Sequence, residues 1–177
     1  MNIDLRANDF RLWLGMPFNS SELSSAQFSK VGFFTGLALP KIKQSGDTVY
    51  WAKNPTINCF DDATSVIPNM PRTKDTDLIC GTSVFLYFNG GHLRLVLAQV
   101  IMSFIWAQTF MDEFRQAAVK SLGDAGCENL VSVPTHKGSS IQNQIQLTCT
   151  WRDGKEFLIS KLSPVGDNAY VMWGRDQ

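Results

Sequence analysis

The stretch Val84-Phe85-Leu86-Tyr87-Phe88-Asn89-Gly90-Gly91-His92-Leu93-Arg94-Leu95-Val96-Leu97 decides how the chain is read. Its first five residues are all apolar or aromatic, the composition of a strand with both faces in use. Asn89, Gly90 and Gly91 tolerate positive φ and supply turn chemistry. Leu93, Leu95 and Leu97 then alternate with Arg94, Val96 and Ala98. An antiparallel hairpin is predicted, and the rest of the fold is read outward from it.

Immediately downstream, Ser103 can cap a helix. Apolar groups at 104, 107, 110, 111, 114, 118 and 122 keep close to helical spacing, with Asp112, Glu113, Arg115 and Gln116 on the wet face. Lys120 suits the negative end of that helix, and Gly123 suits a left-handed C-terminal cap. Beyond it, Ile145, Leu147, Cys149 and Trp151 alternate with polar residues as in a half-buried strand. Asp153-Gly154 turns the chain, Glu156 to Leu162 returns, and Pro164 to Asn168 turns again into Ala169–Trp173.

Upstream, Asn19-Ser20-Ser21-Glu22 reads as a capping box opening a short helix to about Ser29, with Phe18 and Leu23 placed for a hydrophobic staple. A strand is predicted over Phe10 to Met16. Short strands are predicted at Val31–Phe34, Thr48–Ala52 and Ile57–Phe60, and an exposed loop over Pro68 to Asp77. A helix followed by strands thus occurs once after Asn19 and again after Ser103. The expected fold class is α+β. One domain spanning 1–177 carries an antiparallel sheet of roughly six to eight strands, with one long helix (about 103–122) and one short helix (about 20–29) packed on one face.

The 177 residues are 44% hydrophobic and 18% charged, enough to build a packed core and too apolar for a disordered chain. Charge is balanced in each half: residues 1–89 and 90–177 both carry eight Lys/Arg against eight Asp/Glu. With no basic stripe, nucleic acid is not an expected partner. No run approaches the ~20 apolar residues of a membrane span. Asp4, Arg6, Asp9 and Arg11 interrupt the N-terminus where a signal peptide is apolar. A soluble protein is expected, cytoplasmic or, if a signal was trimmed, periplasmic. Cys59, Cys80, Cys127 and Cys149 show no metal-site spacing. Four reduced thiols are the favoured reading. Two disulfides, with three connectivities, stand beside it, and proximity favours Cys59 with Cys80 and Cys127 with Cys149.

Two segments resemble a known family. Leu14-Gly15-Met16-Pro17-Phe18-Asn19-Ser20-Ser21-Glu22-Leu23 is similar to the opening of small bacterial envelope modules of the β-lactamase-inhibitor-protein type and the related outer-membrane assembly lipoproteins. Val84 to Val96 is similar to their hairpin. The resemblance implies helices paired with an antiparallel sheet and a role in binding other proteins without catalysis. It assigns no site residue, and the lipoprotein cysteine is not present.

Candidate chemistry is sparse. His92 is simply a hairpin residue, and Asp61-Asp62 a solvated turn. Lys137-Gly138-Ser139 lacks the upstream glycine of a phosphate loop. No cofactor or metal is expected. The first functional expectation is a non-catalytic protein-binding module of inhibitor, immunity or assembly-factor type. Its partner is another protein, and the aromatic anchors are Tyr87, Trp151, Tyr170 and Trp173 on predicted strands. The alternative is a small-molecule-binding domain or unusual hydrolase. Its pocket lies near His136, with Ser139 or Cys127 as the nucleophile that His136 would activate.

Overall fold

A computed structural model describes residues 1, 3, 5–32, 42–53, 57–58, 81–101, 104–132, 144–163 and 168–176. In chain order the elements are β1 (Leu5–Ala7), β2 (Phe10–Leu12), α1 (Ser20–Ser25), β3 (Ser29–Lys30), β4 (Thr48–Lys53), β5 (Ile57–Asn58), β6 (Gly81–Asn89) and β7 (His92–Ile101). They continue with α2 (Phe104–Leu122), β8 (Gly126–Ser132), β9 (Gln144–Asp153), β10 (Glu156–Ser163) and β11 (Asn168–Arg175).

The α+β class does not hold. More than half of the described residues lie in strands, and the helices are a minor layer on a mostly β protein. One antiparallel sheet has the order β3-β4-β6-β7-β11-β10-β9-β8, and a second, small sheet has the order β2-β1-β5. The expectation gave too much weight to helical periodicity, which is a strong local signal. It missed strands that are short or polar: β1, β3 and the edge strand β8.

The main sheet has an internal symmetry of order. Each half is a four-strand antiparallel meander preceded by a helix, α1 before β3 and α2 before β8, and the last strands of the two halves meet at the β7–β11 seam. The parallel noticed in the sequence after Asn19 and Ser103 takes this form. Between β4 and β6 the chain departs from the meander, and β5 pairs with β1 in the small sheet.

Both faces of the sheet are apolar. On one, Leu86, Val96, Ala98, Val171 and Trp173 form a continuous core with Leu23 of α1, Met111, Phe114 and Ala118 of α2, and Leu5 and Leu12 of the small sheet. On the other, Val49, Phe85, Tyr87, Leu95 and Leu97 form a separate cluster. Each large apolar side chain so buried contributes about 2 kcal/mol.

Local chemistry accounts for the turns. Asn8 and Asp9 take positive φ and close the β1–β2 hairpin; Gly90 and Gly91 do the same between β6 and β7. Asn19 accepts from the amides of Ser21 and Glu22 at α1. The helix stops well short of Ser29. Gln27 enters the left-handed region, its amide donates to Ser24, and the Phe28 amide reaches back to Leu23. Phe18 lies 5.3 Å from Tyr50 and 5.4 Å from Phe88, ring centroid to centroid. The predicted strand Phe10–Met16 ends at Leu12. The expected loop Pro68–Asp77, the helix cap Ser103, Asp61-Asp62, Cys59 and Cys80 lie outside the described residues.

The alternation expected in β7 is interrupted. Tyr87 pairs with Leu95 but Phe88 pairs with Leu93, so Arg94 is an extra residue in a bulge. Leu93 consequently joins the helix-side core while Leu95 and Leu97 face the other way. The bulged Arg94 grips Asp47 with two nitrogens, at 2.5 and 3.3 Å, and also donates to the Ile42 carbonyl. Asp47, only 8% exposed, further accepts from the Gln44 amide and the Asn89 side chain. Burial pushes its carboxyl pKa up, but hydrogen bonds from Arg94, Gln44 and Asn89 outweigh this and hold it below the usual value.

This geometry predicts that Asp47→Asn lowers unfolding free energy by about 3 kcal/mol at neutral pH, because Arg94 then loses its buried counter-charge. The folded-state pKa is depressed, so the wild-type contribution is complete above about pH 5 and declines as pH falls through the folded value. Denaturant melts from pH 7 to pH 3 should show the two proteins converging in acid.

Candidate functional site

The face of the main sheet opposite the helices is built by register. Pairing across six strands aligns three rows of side chains. One row runs Trp51–Phe85–Leu97–Met172–Ile159–Thr150. Below it lies Val49–Tyr87–Leu95–Gly174–Phe157–Arg152, and above it Lys53–Ser83–Gln99–Tyr170–Lys161–Thr148. α1, α2 and the small sheet all contribute to the core on the opposite side. Among the described hydrophobic residues, only Val31 and Ile42 from outside the strands join this face.

The face is not uniform. Val49, Phe85, Tyr87, Leu95 and Leu97, toward β4, are buried. Toward β10, Phe157, Ile159, Tyr170 and Met172 are half-buried. This second region forms an apolar patch with basic groups over its rings. Lys161 Nζ lies 5.8 Å from the Tyr170 centroid, and the Arg152 guanidinium carbon lies 5.7 Å from that of Phe157. Arg152 is also paired with Asp176 at 2.7 Å.

Gly174 makes the packing of the patch possible. A methyl group placed there would meet Leu95 Cδ1 and Phe157 Cζ, each at 2.6 Å. The two side chains fold over the bare backbone, as large residues do beside a strand glycine. Burial raises the phenol pKa of both Tyr87 and Tyr170, so each remains a neutral hydroxyl donor at physiological pH. The Tyr87 hydroxyl and the Trp51 indole N–H, diagonal neighbours on this face, are buried without a hydrogen-bond partner among the described residues.

The expected anchors divide between the two sides. Tyr87 and Tyr170 belong to this face; Trp151 and Trp173 belong to the helix-side core. Trp151 has a structural role, donating from its indole to the Gly123 carbonyl at 2.9 Å and meeting Phe114 edge-on. Tyr87 is fully buried, so it cannot anchor a partner directly. Phe157, Ile159 and Met172 were not singled out from sequence. Their signal was the alternation Phe157, Ile159, Lys161 beside Tyr170, Met172, which shows a shared face only once the strands are paired.

No family model, curated protein or solved structure matches this chain. The family resemblance therefore rests on its two segments alone. These segments touch: Gly15 and Phe18 donate to the Leu93 and Gly91 carbonyls, and the Leu93 amide returns a bond to Met16.

Of the alternative pocket only Cys127 is described. His136 and Ser139 lie outside the described residues, and Cys127 is joined to Cys149 in a disulfide. The two cysteines sit directly opposite on β8 and β9, with Cα atoms 4.1 Å apart. This corrects the reduced-thiol reading for that pair and leaves Cys127 no free thiolate. Among the described residues no cluster of His, Cys, Asp and Glu suits a metal ion, and no helix is long and apolar enough to cross a membrane.

Two outcomes follow from this geometry. Gly174→Ala should destabilise by about 1–3 kcal/mol, because Phe157 and Leu95 must shift to admit the methyl group. A lowered denaturant midpoint at unchanged slope would show it. Reduction of Cys127–Cys149, which spans 22 positions of sequence, should lower stability by about 3 kcal/mol. Paired melts with and without reductant measure this, and the Cys127→Ser/Cys149→Ser protein should be insensitive to reductant.

Proposed function

We propose that this chain is a non-catalytic protein-binding module and that the helix-free sheet face is its binding surface. The observation that carries the reading is the apolar row Met172–Ile159, flanked by Phe157 and Tyr170, which the described fold leaves half-buried. A sheet face normally needs a layer on each side. On the β4 side of this face the cluster is buried; on the β10 side a partner would complete the layer. Thr148, Thr150 and Lys161 supply a polar rim, as interfaces of this kind require. The similarity of Leu14–Leu23 and Val84–Val96 to inhibitor-type modules supports the same reading.

Electrostatics favour a partner that meets Lys161 with an acidic group and fills the space over Ile159 and Met172 with apolar side chains. Capture with tagged protein from the source cell, followed by binding measurements on the purified partner, tests this. Ile159→Arg should weaken binding by about 30-fold or more, the loss expected at a central anchor. Its melting temperature should stay close to wild type, because position 159 is not in the buried core. A partner that binds Ile159→Arg and wild type equally well would place the interface elsewhere.

A further inference from the structure

β8 ends the eight-strand sheet, and its hold on the molecule is narrow. Gly126, Cys127 and Glu128 are exposed, and Gly126, Glu128 and Asn129 are residue types that strands disfavour. Among the described elements β9 is its only substantial neighbour, whereas α2 packs on β10 and β11. β9 itself is held from its other side by β10, paired from Leu147 to Asp153. Just ahead of β8, the Trp151 indole donates to the Gly123 carbonyl and fastens the chain there. Among the described residues, then, seven backbone pairs with β9 and one covalent bond, Cys127–Cys149, keep β8 in place.

The two ends of that bond differ in their access to solvent. Cys127 is exposed, while Cys149 is 2% exposed and belongs to the helix-side core. An external thiol can therefore approach the Cys127 end and not the Cys149 end. Disulfides exchange by attack of a thiolate on a sulfur it can reach, and exposed bonds are the labile ones.

We propose that Cys127–Cys149 is a redox-sensitive latch, whose reduction by a small dithiol releases β8 and leaves the other strands paired. One thiolate of the dithiol attacks Cys127 Sγ, the Cys127–Cys149 bond breaks, and Cys149 departs and takes up a proton. The second thiol, deprotonated, then displaces Cys127, which is protonated in turn. Two electrons pass to the protein, and the reagent is left as its own disulfide. With the link gone the strand opens locally, as weakly packed segments do. The sheet then ends at β9, and the backbone groups of residues 144–150 that β8 had paired become an open edge. The latch does not rest on the protein-binding reading of the helix-free face.

The test is hydrogen exchange of the whole chain, read by mass spectrometry, in native buffer with and without dithiothreitol. Alkylation and peptide mapping report the thiols at 127 and 149 in each sample. Dithiothreitol should reduce the pair without denaturant, about tenfold faster at pH 8 than at pH 7 as its thiolate fraction rises. Amides of 126–132 should then exchange about a hundredfold faster than before. Those of β6 and β7 should stay protected over the same interval, and oxidised glutathione should restore the original pattern once the reagent is removed. A disulfide that resists dithiothreitol until the protein is denatured overturns the proposal. So does reduced protein in which β8 is as protected as before, or in which β6 and β7 open together with it. Failure of reoxidation to close β8 overturns it as well. Because one unmodified chain is compared in two redox states, no variant has to fold.

Discussion

The pairing of β7 with β11 is the constraint on which the other features of the molecule depend. Among the described residues it is the one place where the two four-strand meanders pair through their backbones, and it sets the register of the side-chain rows that cross it. Strand side chains alternate strictly, so a slip of one residue at the seam would exchange Val96, Ala98, Val171 and Trp173 with Leu97 and Met172. That slip would present the wrong surface to the helices. The helices do not organise the sheet. They close one side of a frame that the seam has already established, with Leu23 from α1 and Met111, Phe114 and Ala118 from α2.

Register also explains how one polar bond can matter in so apolar a sheet. The bulge at Arg94 restores Leu95 and Leu97 to the face shared with Phe85 and Tyr87, and it brings the guanidinium to Asp47. The same extra residue therefore sorts the leucines and pins the 42–47 segment to the central hairpin. A bidentate, charge-assisted pair suits this place because its geometry is directional, which hydrophobic contact is not.

Much of this was legible wherever the signal is local. The turn at Asn89-Gly90-Gly91, the cap at Asn19, the helix stop at Gly123 and the alternation of β9 each depend on a few neighbouring residues. The class was misread because a sheet is a non-local object. β8 begins Gly-Cys-Glu-Asn, residues that taken alone suggest a loop, and it is a strand because β9 supplies its hydrogen bonds. The bulge could not be read from β7 alone, since alternation through Arg94 looks regular until Phe88 and Leu93 are paired. Aromatic content suggested anchors, but Tyr87, Trp151 and Trp173 occupy positions that the seam and the helices bury. The open patch uses residues with plainer side chains, Ile159 and Met172, visible only as a face.

The polar atoms of the buried aromatics are satisfied unevenly. Trp151 shows the ordinary solution, an indole N–H satisfied by the Gly123 carbonyl that ends α2. The Trp51 indole, the Tyr87 hydroxyl and the Trp173 indole are buried without that compensation. Phenylalanine in place of Tyr87 would remove the cost while keeping nearly the same packing, but in place of either tryptophan it would leave a cavity. Two of the three belong to the helix-free face and the third to the helix-side core. All three polar atoms are sealed inside the packed sheet, so the fold itself carries their cost and the rings offset it in buried aromatic area.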